Sequence, residues 1–490
     1  MTSGQNFWDA SVWSLMIELT LLLVGMLTAN MLRRLNKPLR QSLIPSAVLG
    51  GFIILLGNLG YESLFGSSLF NTVTMETLTY HGLGLGCVAV ALKVTEKKDK
   101  RGAAVDVFNS GLTTVSAYLL QGVLGLGITL GLSYVIGNWA ASGLLLPMGY
   151  GQGPGQAYNF GHIYETGTGY DAALGTGYEP FQYGASFGLT IAAMGFVAAS
   201  IGGLIYMNSM KRKGLVRTSD INAEEVEDLS AELITTKGEI PLSESLDKLT
   251  VQIGLVFFTY MAGYVLTRLL SAGMDSLGGF FAGTVKPLVW GFNFLIGTIL
   301  AIVLKKVLGT LQRKGIIHRQ YLNNFMLSRI AGVMFDIMVV ASIAAINLSA
   351  FTHPEFIIPL TILCVVGAVV TYFQVKFTVR RLFPHYEHEA FLSLYGMLTG
   401  TNSTGVILVR EIDPLFETPA VSNLIYQQLW AIVFGFPMLL LLGFAPIGLN
   451  GDKSHAWLTM GALVILFIII NLVLFRRQVF GSRRSKVQAK

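Results

Sequence analysis

Long apolar segments separated by short polar ones run along almost the whole chain. Each apolar segment is close to or above the roughly 20 residues that cross a bilayer as a helix. Eleven such segments are predicted, at residues 13–32, 43–59, 77–94, 107–136, 181–207, 251–271, 287–304, 325–348, 356–379, 421–444 and 456–475. The pattern therefore predicts an all-α polytopic membrane protein with about eleven transmembrane helices.

Nearly all basic residues fall in alternate loops between these segments, as the positive-inside rule requires, and only Arg268, Lys286 and Lys453 fall on the opposite side. Arg33 and Lys37 lie in one basic loop, and Lys97 and Lys98 lie in the next. The alternation predicts a multi-pass protein of the cell membrane with its N-terminus outside and its C-terminus, a basic tail over residues 476–490, in the cytoplasm. The first twelve residues contain no Lys or Arg, so we expect the first apolar segment to persist as an anchor.

Composition agrees with this class of protein. Hydrophobic residues make up 52% of the 490 residues, and charged residues make up only 13%. A soluble chain carries about 25% charged residues, so a soluble fold of this size is excluded. The net charge of +6 resides in the loops and not on one face, so the expected partner is the lipid bilayer and not nucleic acid.

The chain divides into two halves of matching order. Each half has four helices, a glycine-rich stretch and a fifth helix, and the two halves enter the membrane from opposite sides. This predicts inverted repeats at residues 13–207 and 251–445, with re-entrant segments at 140–164 and 390–412. Residues 208–250 are predicted to form a cytoplasmic linker. The last helix, at 456–475, lies outside the repeats and is predicted to be a peripheral helix or a helix of a dimer interface.

The two glycine-rich stretches carry the candidate chemistry. The first is Gly149-Tyr-Gly-Gln-Gly-Pro-Gly155 and the second is Gly396-Met-Leu-Thr-Gly-Thr-Asn-Ser-Thr-Gly405. Broken backbone is tolerated at membrane depth only where protein or a water-filled cavity surrounds it. The N-termini of half-helices attract anions, and freed carbonyl groups bind Na⁺. The candidate substrate ligands are Gly151, Gln152, Gly153, Gly155, Gln156, Asn159, Thr401, Asn402, Ser403, Thr404 and Gln427.

The candidate ligands of a co-transported Na⁺ are Asp336, Gly400 and Asn402. Asp336 lies near the middle of the predicted span 325–348, where an unpaired carboxylate is costly and is usually kept for ions or protons. The alternative is a structural ion pair with Arg329, two helical turns earlier on the same face.

The order of segments over residues 13–445 resembles that of the glutamate:Na⁺ symporter family. Short matches at residues 44–51, 149–155, 185–189 and 396–405 carry this resemblance. It implies a Na⁺-coupled symporter that forms a homodimer, with transport and scaffold parts in each half. The family's Gly-Gly-His-Gly-Thr pattern reads here Tyr150-Gly-Gln-Gly-Pro154, and the second motif also lacks its histidine. A dicarboxylate or a hydroxycarboxylate is therefore an alternative to glutamate as the small anionic substrate.

Other functions are possible from the sequence. The segment Gly184-Ala-Ser-Phe-Gly188 matches the nucleophile pattern of hydrolases, with His162 as a conceivable base. Ser186 lies in an apolar helical run and not at a strand-to-helix turn, so we expect no enzyme. No Gly-Lys dipeptide occurs, so a phosphate-binding loop for ATP is absent and an ion gradient is the expected energy source. A passive anion channel and coupling to protons in place of Na⁺ remain alternatives.

Overall fold

The protein is helical throughout the described part of the chain. The computed structural model describes residues 6–94, 101–167, 179–215, 248–279, 281–414, 416–447 and 452–476. No β-strand is assigned within these ranges. The predicted all-α class is confirmed.

Where it is described, the first half contains seven α-helices and two shorter helical turns. The α-helices are α1 (Ala10–Leu35), α2 (Lys37–Gln41), α3 (Ser46–Phe65), α4 (Thr72–Leu92), α5 (Arg101–Leu132), α6 (Pro154–Thr166) and α7 (Gly184–Arg212). Between α5 and α6 lie a 3₁₀ turn, Ala140–Leu144, and a π-helical turn, Pro147–Gln152. Asn71 caps α4, since its side chain accepts a hydrogen bond from the N–H of Val73.

Among its described residues, the second half contains ten α-helices and two shorter helical turns. Its helices are α8 (Lys248–Leu277), α9 (Lys286–Gly291), α10 (Asn293–Arg313), α11 (Asn324–Ala344), α12 (Pro354–Leu382), α13 (Glu387–Thr399), α14 (Asn402–Arg410), α15 (Ala420–Tyr426), α16 (Gln428–Phe444) and α17 (Ser454–Leu474). A π-helical turn, Phe281–Val285, precedes α9, and a 3₁₀ turn, Leu348–Thr352, precedes α12.

Nine helices in the described ranges are long and apolar enough to cross a membrane, and α15 with α16, bent by 51°, forms a possible tenth. The chain is therefore a multi-pass membrane protein. The predicted span 77–94 corresponds to α4, which is not among the nine because Glu76, Tyr80 and His81 lower its hydropathy.

Some predicted boundaries need correction. The span predicted at 287–304 is interrupted at Phe292 and continues as α10 to Arg313. Of the predicted linker 208–250, residues 216–247 lie outside the described residues, as do residues 477–490 of the predicted tail.

The chain folds into two compact units, and each takes helices from both halves of the sequence. The first unit comprises Met1–Lys97, Pro154–Asn159 and Asp220–Ile346. The second comprises Lys98–Gly153, Phe160–Ser219 and Asn347–Lys490. Each unit therefore combines segments of both predicted repeats, and neither repeat forms a unit of its own.

The core of the first unit lies between α4 and α11. Gly82 and Gly86 of α4 face Met338 and Phe335 of α11, and a Cβ atom on Gly82 would lie 2.9 Å from the Cβ atom of Met338. Small residues let membrane helices approach closely, and dispersion contacts then stabilise the pair. The glycines of α4 are packing residues.

In the second unit, α7 supports both glycine-rich stretches. A Cβ atom on Gly149 would lie 2.6 Å from Cγ2 of Ile191, and Gly195 of the same helix faces the carbonyl group of Thr399. One helix therefore contacts both the π-helical turn and the end of α13.

Candidate functional site

The first glycine-rich stretch is broken at Gly153. The π-helical turn ends at Gln152, and α6 starts at Pro154. Gly153 has φ +87° and ψ −178°, a conformation that is essentially restricted to glycine. The prediction that this stretch does not run as one continuous helix is confirmed.

The second glycine-rich stretch is broken at Gly400 and Thr401. Helix α13 ends at Thr399, and the Gly400 N–H donates to the carbonyl oxygen of Gly396 at 3.0 Å. Thr401 caps the next helix, since its Oγ1 accepts from the N–H of Thr404 at 3.5 Å. The predicted break at this stretch is also confirmed.

The two breaks touch each other inside the second unit. A Cβ atom built on Gly153 would lie 3.2 Å from Cγ2 of Thr401 and 3.7 Å from the carbonyl oxygen of Gly400. Gly153 and Thr401 each directly precede a helix. The residues that precede two helices are therefore close neighbours, although they come from different halves of the sequence.

Neutral polar groups surround this contact. Asn402 and Ser403 are exposed, whereas Gln152 and Thr401 are half-buried. The Gln428 amide nitrogen donates to Oδ1 of Asn402 at 3.2 Å. The accessible groups at the breaks are therefore amides and hydroxyls, which both donate and accept hydrogen bonds.

Gln427 is not among the accessible groups. Its side chain is fully buried; its Oε1 accepts from the Thr114 hydroxyl at 3.0 Å, and its Nε2 lies 3.0 Å from Sδ of Met397. Both polar atoms of the Gln427 amide therefore have partners within the protein. The neighbouring Gln428 is the glutamine that reaches Asn402.

Thr404 is buried and lies behind the second break. Its hydroxyl is 3.3 Å from that of Thr401, and a Cβ atom on Gly400 would lie 2.9 Å from it. Thr404 thus supports the backbone at Gly400, while Thr401 has the more open position.

Helix α5 holds the C-terminal ends that precede both breaks. The Tyr118 hydroxyl donates to the carbonyl oxygen of Gly151 at 2.9 Å, and the Gln121 amide nitrogen donates to that of Leu398 at 3.0 Å. The Tyr150 hydroxyl donates to the carbonyl oxygen of Cys364 on α12 at 2.7 Å. In the sequence, the signal that marks Gln121 is an uncharged amide within an apolar helical segment.

The other three predicted ligands of the first stretch belong to the first unit. Gly155 packs against Leu83, whose Cβ atom would lie 2.8 Å from a Cβ on the glycine. The Asn159 amide nitrogen donates to the carbonyl oxygen of Gly291 at 2.8 Å. Gln156 is 2% exposed, and neither polar atom of its side chain is hydrogen-bonded to a described residue.

Asp336 also belongs to the first unit, whereas Gly400 and Asn402 belong to the second. The Asp336 side chain is exposed, and Arg329 packs over the ring of Phe325 at 5.0 Å. The alternative ion pair between Asp336 and Arg329 is not formed. In the described ranges, no three His, Cys, Asp or Glu side chains are grouped closely enough to hold a metal ion.

Ser186 has a structural partner. It is buried near the start of α7, and its Oγ accepts from the backbone N–H of Asn347 at 3.0 Å. A helix position is not the exposed strand-to-helix turn that a hydrolase nucleophile requires.

No known protein-family model matches this chain, and no curated protein matches it. The class that the described helices define is an all-α polytopic membrane protein.

Proposed function

We propose that the protein is a sodium-coupled secondary transporter of glutamate or a related organic anion. The contact between Gly153 and Thr401 carries this proposal. Broken helices that meet inside a membrane protein are the usual construction of substrate and ion sites in secondary transporters. Membrane helices that only pack against each other do not require broken backbone, because each backbone N–H or C=O group left without a partner is costly in an apolar environment.

The anionic substrate is inferred from the groups at the breaks. The first N–H groups of a helix have no partner within that helix, and they attract negative charge. Thr401 directly precedes such N–H groups, and Asn402 and Ser403 add side-chain donors beside them. A small carboxylate matches this arrangement without a basic residue.

The coupled ion is inferred from the opposite helix ends. Carbonyl groups at a broken helix end are suited to Na⁺. Gly400 lies at such an end, after α13, and Asn402 adds an amide oxygen. Asp336 is a further candidate for cation dependence, because an exposed carboxylate in an apolar helix is costly unless it has a function.

Alternating access would expose the paired breaks to one side of the membrane at a time. With the N-terminus outside and the C-terminus in the cytoplasm, uptake would run toward the basic loops. A homodimer in the cell membrane is proposed on the resemblance to the glutamate:Na⁺ symporter family.

The test is transport by the purified protein in liposomes. We expect uptake of radiolabelled glutamate to saturate with concentration and to require an inward Na⁺ gradient. A panel of dicarboxylates and hydroxycarboxylates, added as competitors with and without sodium, would identify the preferred anion as the strongest competitor.

Three results would contradict the proposal in different ways. Anion currents that neither saturate nor require a gradient would identify a passive channel. Uptake driven by a proton gradient alone would replace Na⁺ by H⁺. Release of a hydrolysed product would indicate the enzyme alternative.

A further inference from the structure

The Gln121 side chain lies beside both broken segments, at equivalent positions. It is 2% exposed on α5, and its amide nitrogen donates to the Thr371 hydroxyl at 2.9 Å and to the carbonyl oxygen of Leu398 at 3.0 Å. Leu398 precedes Gly400 by two residues, just as Gly151 precedes Gly153. The Gln121 amide nitrogen therefore fixes the end of α13 in the second segment and also binds α12 through Thr371.

The oxygen of the same amide points toward the first segment. Gln121 Oε1 would lie 3.3 Å from a Cβ atom on Gly151. This oxygen is buried, and no described residue donates a hydrogen bond to it. A buried acceptor without a donor costs free energy, so the position favours a bound group that carries positive charge or a proton.

The surroundings of this oxygen distinguish it from another buried glutamine oxygen of the second unit. Gln374 of α12 also has a buried Oε1 without a donor, but its nitrogen donates to Ser116. Ser116 in turn donates to Asn471 of α17. Gln374 is thus tied to helix packing, whereas Gln121 adjoins the ends of two broken helices.

Helix C-terminal ends add to the preference for a cation. The π-helical turn ends at Gln152, and α13 ends at Thr399. The last carbonyl groups of a helix carry partial negative charge and lack partners within the helix. The carbonyl oxygen of Gly151 accepts from Tyr118 and keeps a second lone pair.

We infer that Gln121 Oε1 is a ligand of the coupled Na⁺, together with carbonyl groups at the end of the Pro147–Gln152 turn. Small hard cations take oxygen ligands, and an amide oxygen is an ordinary one. This inference rests on the proposed function. It adds Gln121 to the candidate ligands Asp336, Gly400 and Asn402.

The experiment measures sodium binding directly, so it does not depend on transport. Wild-type protein and the variants Gln121→Met, Gln121→Asn and Gln374→Met are purified in detergent, and binding of radioactive sodium and the sodium-dependent shift in melting temperature are recorded. A ligand that binds only the folded state raises the melting temperature with its concentration. Choline chloride at equal ionic strength serves as the sodium-free reference.

We expect the half-saturating sodium concentration to rise at least about tenfold in Gln121→Met, the effect of losing roughly 1.4 kcal/mol of binding free energy. Gln374→Met should bind sodium like the wild type. Gln121→Asn keeps an amide but withdraws its oxygen by one methylene, so it should also bind sodium more weakly. This variant decides the question if Gln121→Met does not fold.

Sodium binding that is unchanged in both Gln121 variants would overturn the inference, and the oxygen would then meet a water molecule or the substrate. In that outcome the wild type still binds sodium, and the proposed function stands. If the wild type itself shows no sodium-specific binding, sodium coupling fails together with this inference. An equal loss in Gln374→Met would indicate general destabilisation and would also overturn it.

Discussion

The Thr401 side chain occupies the space beside Gly153, since its Cγ2 would lie only 3.2 Å from a Cβ atom on that glycine. The two residues come from different halves of the sequence, and each directly precedes a helix. A larger side chain at position 153 would therefore collide with Thr401 and disturb the backbone at both breaks. This collision leads to the first prediction.

Gly153→Ala should abolish uptake while the protein still inserts into the membrane. The φ value of +87° places an added Cβ atom in a strained conformation that costs about 1–3 kcal/mol, and the same atom would press on Thr401. Uptake is measured in liposomes, and membrane-inserted protein is quantified in parallel. Gly131→Ala is the matched control, since nothing lies within 4 Å of its added Cβ atom. Normal uptake by Gly153→Ala would remove Gly153 from the site.

Thr401→Val should weaken apparent substrate affinity. Valine has nearly the same shape but cannot accept from the Thr404 N–H, so the cap of α14 is lost at a cost of about 0.5–2 kcal/mol. We expect the KM for the anion to rise, whereas Thr401→Ser, which keeps the hydroxyl, should retain most of the affinity. The measurement is the concentration dependence of uptake. Equal KM values for the two variants would show that the hydroxyl is not used.

Gln428→Leu and Gln427→Leu should have different effects although the residues are adjacent. Gln428 reaches Asn402 at the accessible break, so its loss should raise the KM at unchanged melting temperature. Gln427 is buried and bonded to Thr114, so its loss should lower the free energy of unfolding by about 1–3 kcal/mol. Uptake kinetics and melting temperatures of the two variants check this. A KM effect confined to Gln427→Leu would support the assignment made from sequence.

The sequence predicted the breaks because glycine and proline act locally. Four glycines and a proline within residues 149–155 prevent a regular helix whatever surrounds them. Thr401 likewise combines two local signals, a hydroxyl at an N-cap position and a preceding glycine. Helix class and the positions of both breaks were therefore predictable from neighbouring residues alone.

Contacts between distant segments were not predictable in this way. The contact of Gly153 with Thr401 and the face of α16 that carries Gln428 depend on how α5, α7 and α12 pack, and a sequence pattern does not specify that packing. The break at Phe292 was missed for a related reason, since apolar residues on both sides of it conceal the interruption. The hydropathy of α4 was overestimated because its polar residues cluster at one end.

Asp336→Asn should weaken the dependence of uptake on sodium. The Asp336 carboxylate is exposed on an apolar helix and forms no hydrogen bond or ion pair within the described residues, so removal of its charge should leave the fold intact. Uptake measured against sodium concentration should show a higher half-saturating value. Glu18→Gln is the comparison, because the Glu18 carboxylate accepts from the N–H of Asn71 at 2.9 Å and has a structural role. An unchanged sodium dependence would exclude Asp336 as a cation ligand.

Ser186→Ala separates the transporter from the hydrolase. If Ser186 were a nucleophile, alanine would remove all activity, since no other group could form the covalent intermediate. The structure gives the hydroxyl a different role: it accepts from the Asn347 N–H at the start of the segment that leads to α12. Its loss leaves that N–H without its partner and should cost about 1–3 kcal/mol of stability. We therefore expect a lower melting temperature with an unchanged KM for the anion, and Ser186→Thr, which keeps a hydroxyl, should show a normal KM as well. Complete inactivation of a folded Ser186→Ala protein, with product release by the wild type, would establish the enzyme instead.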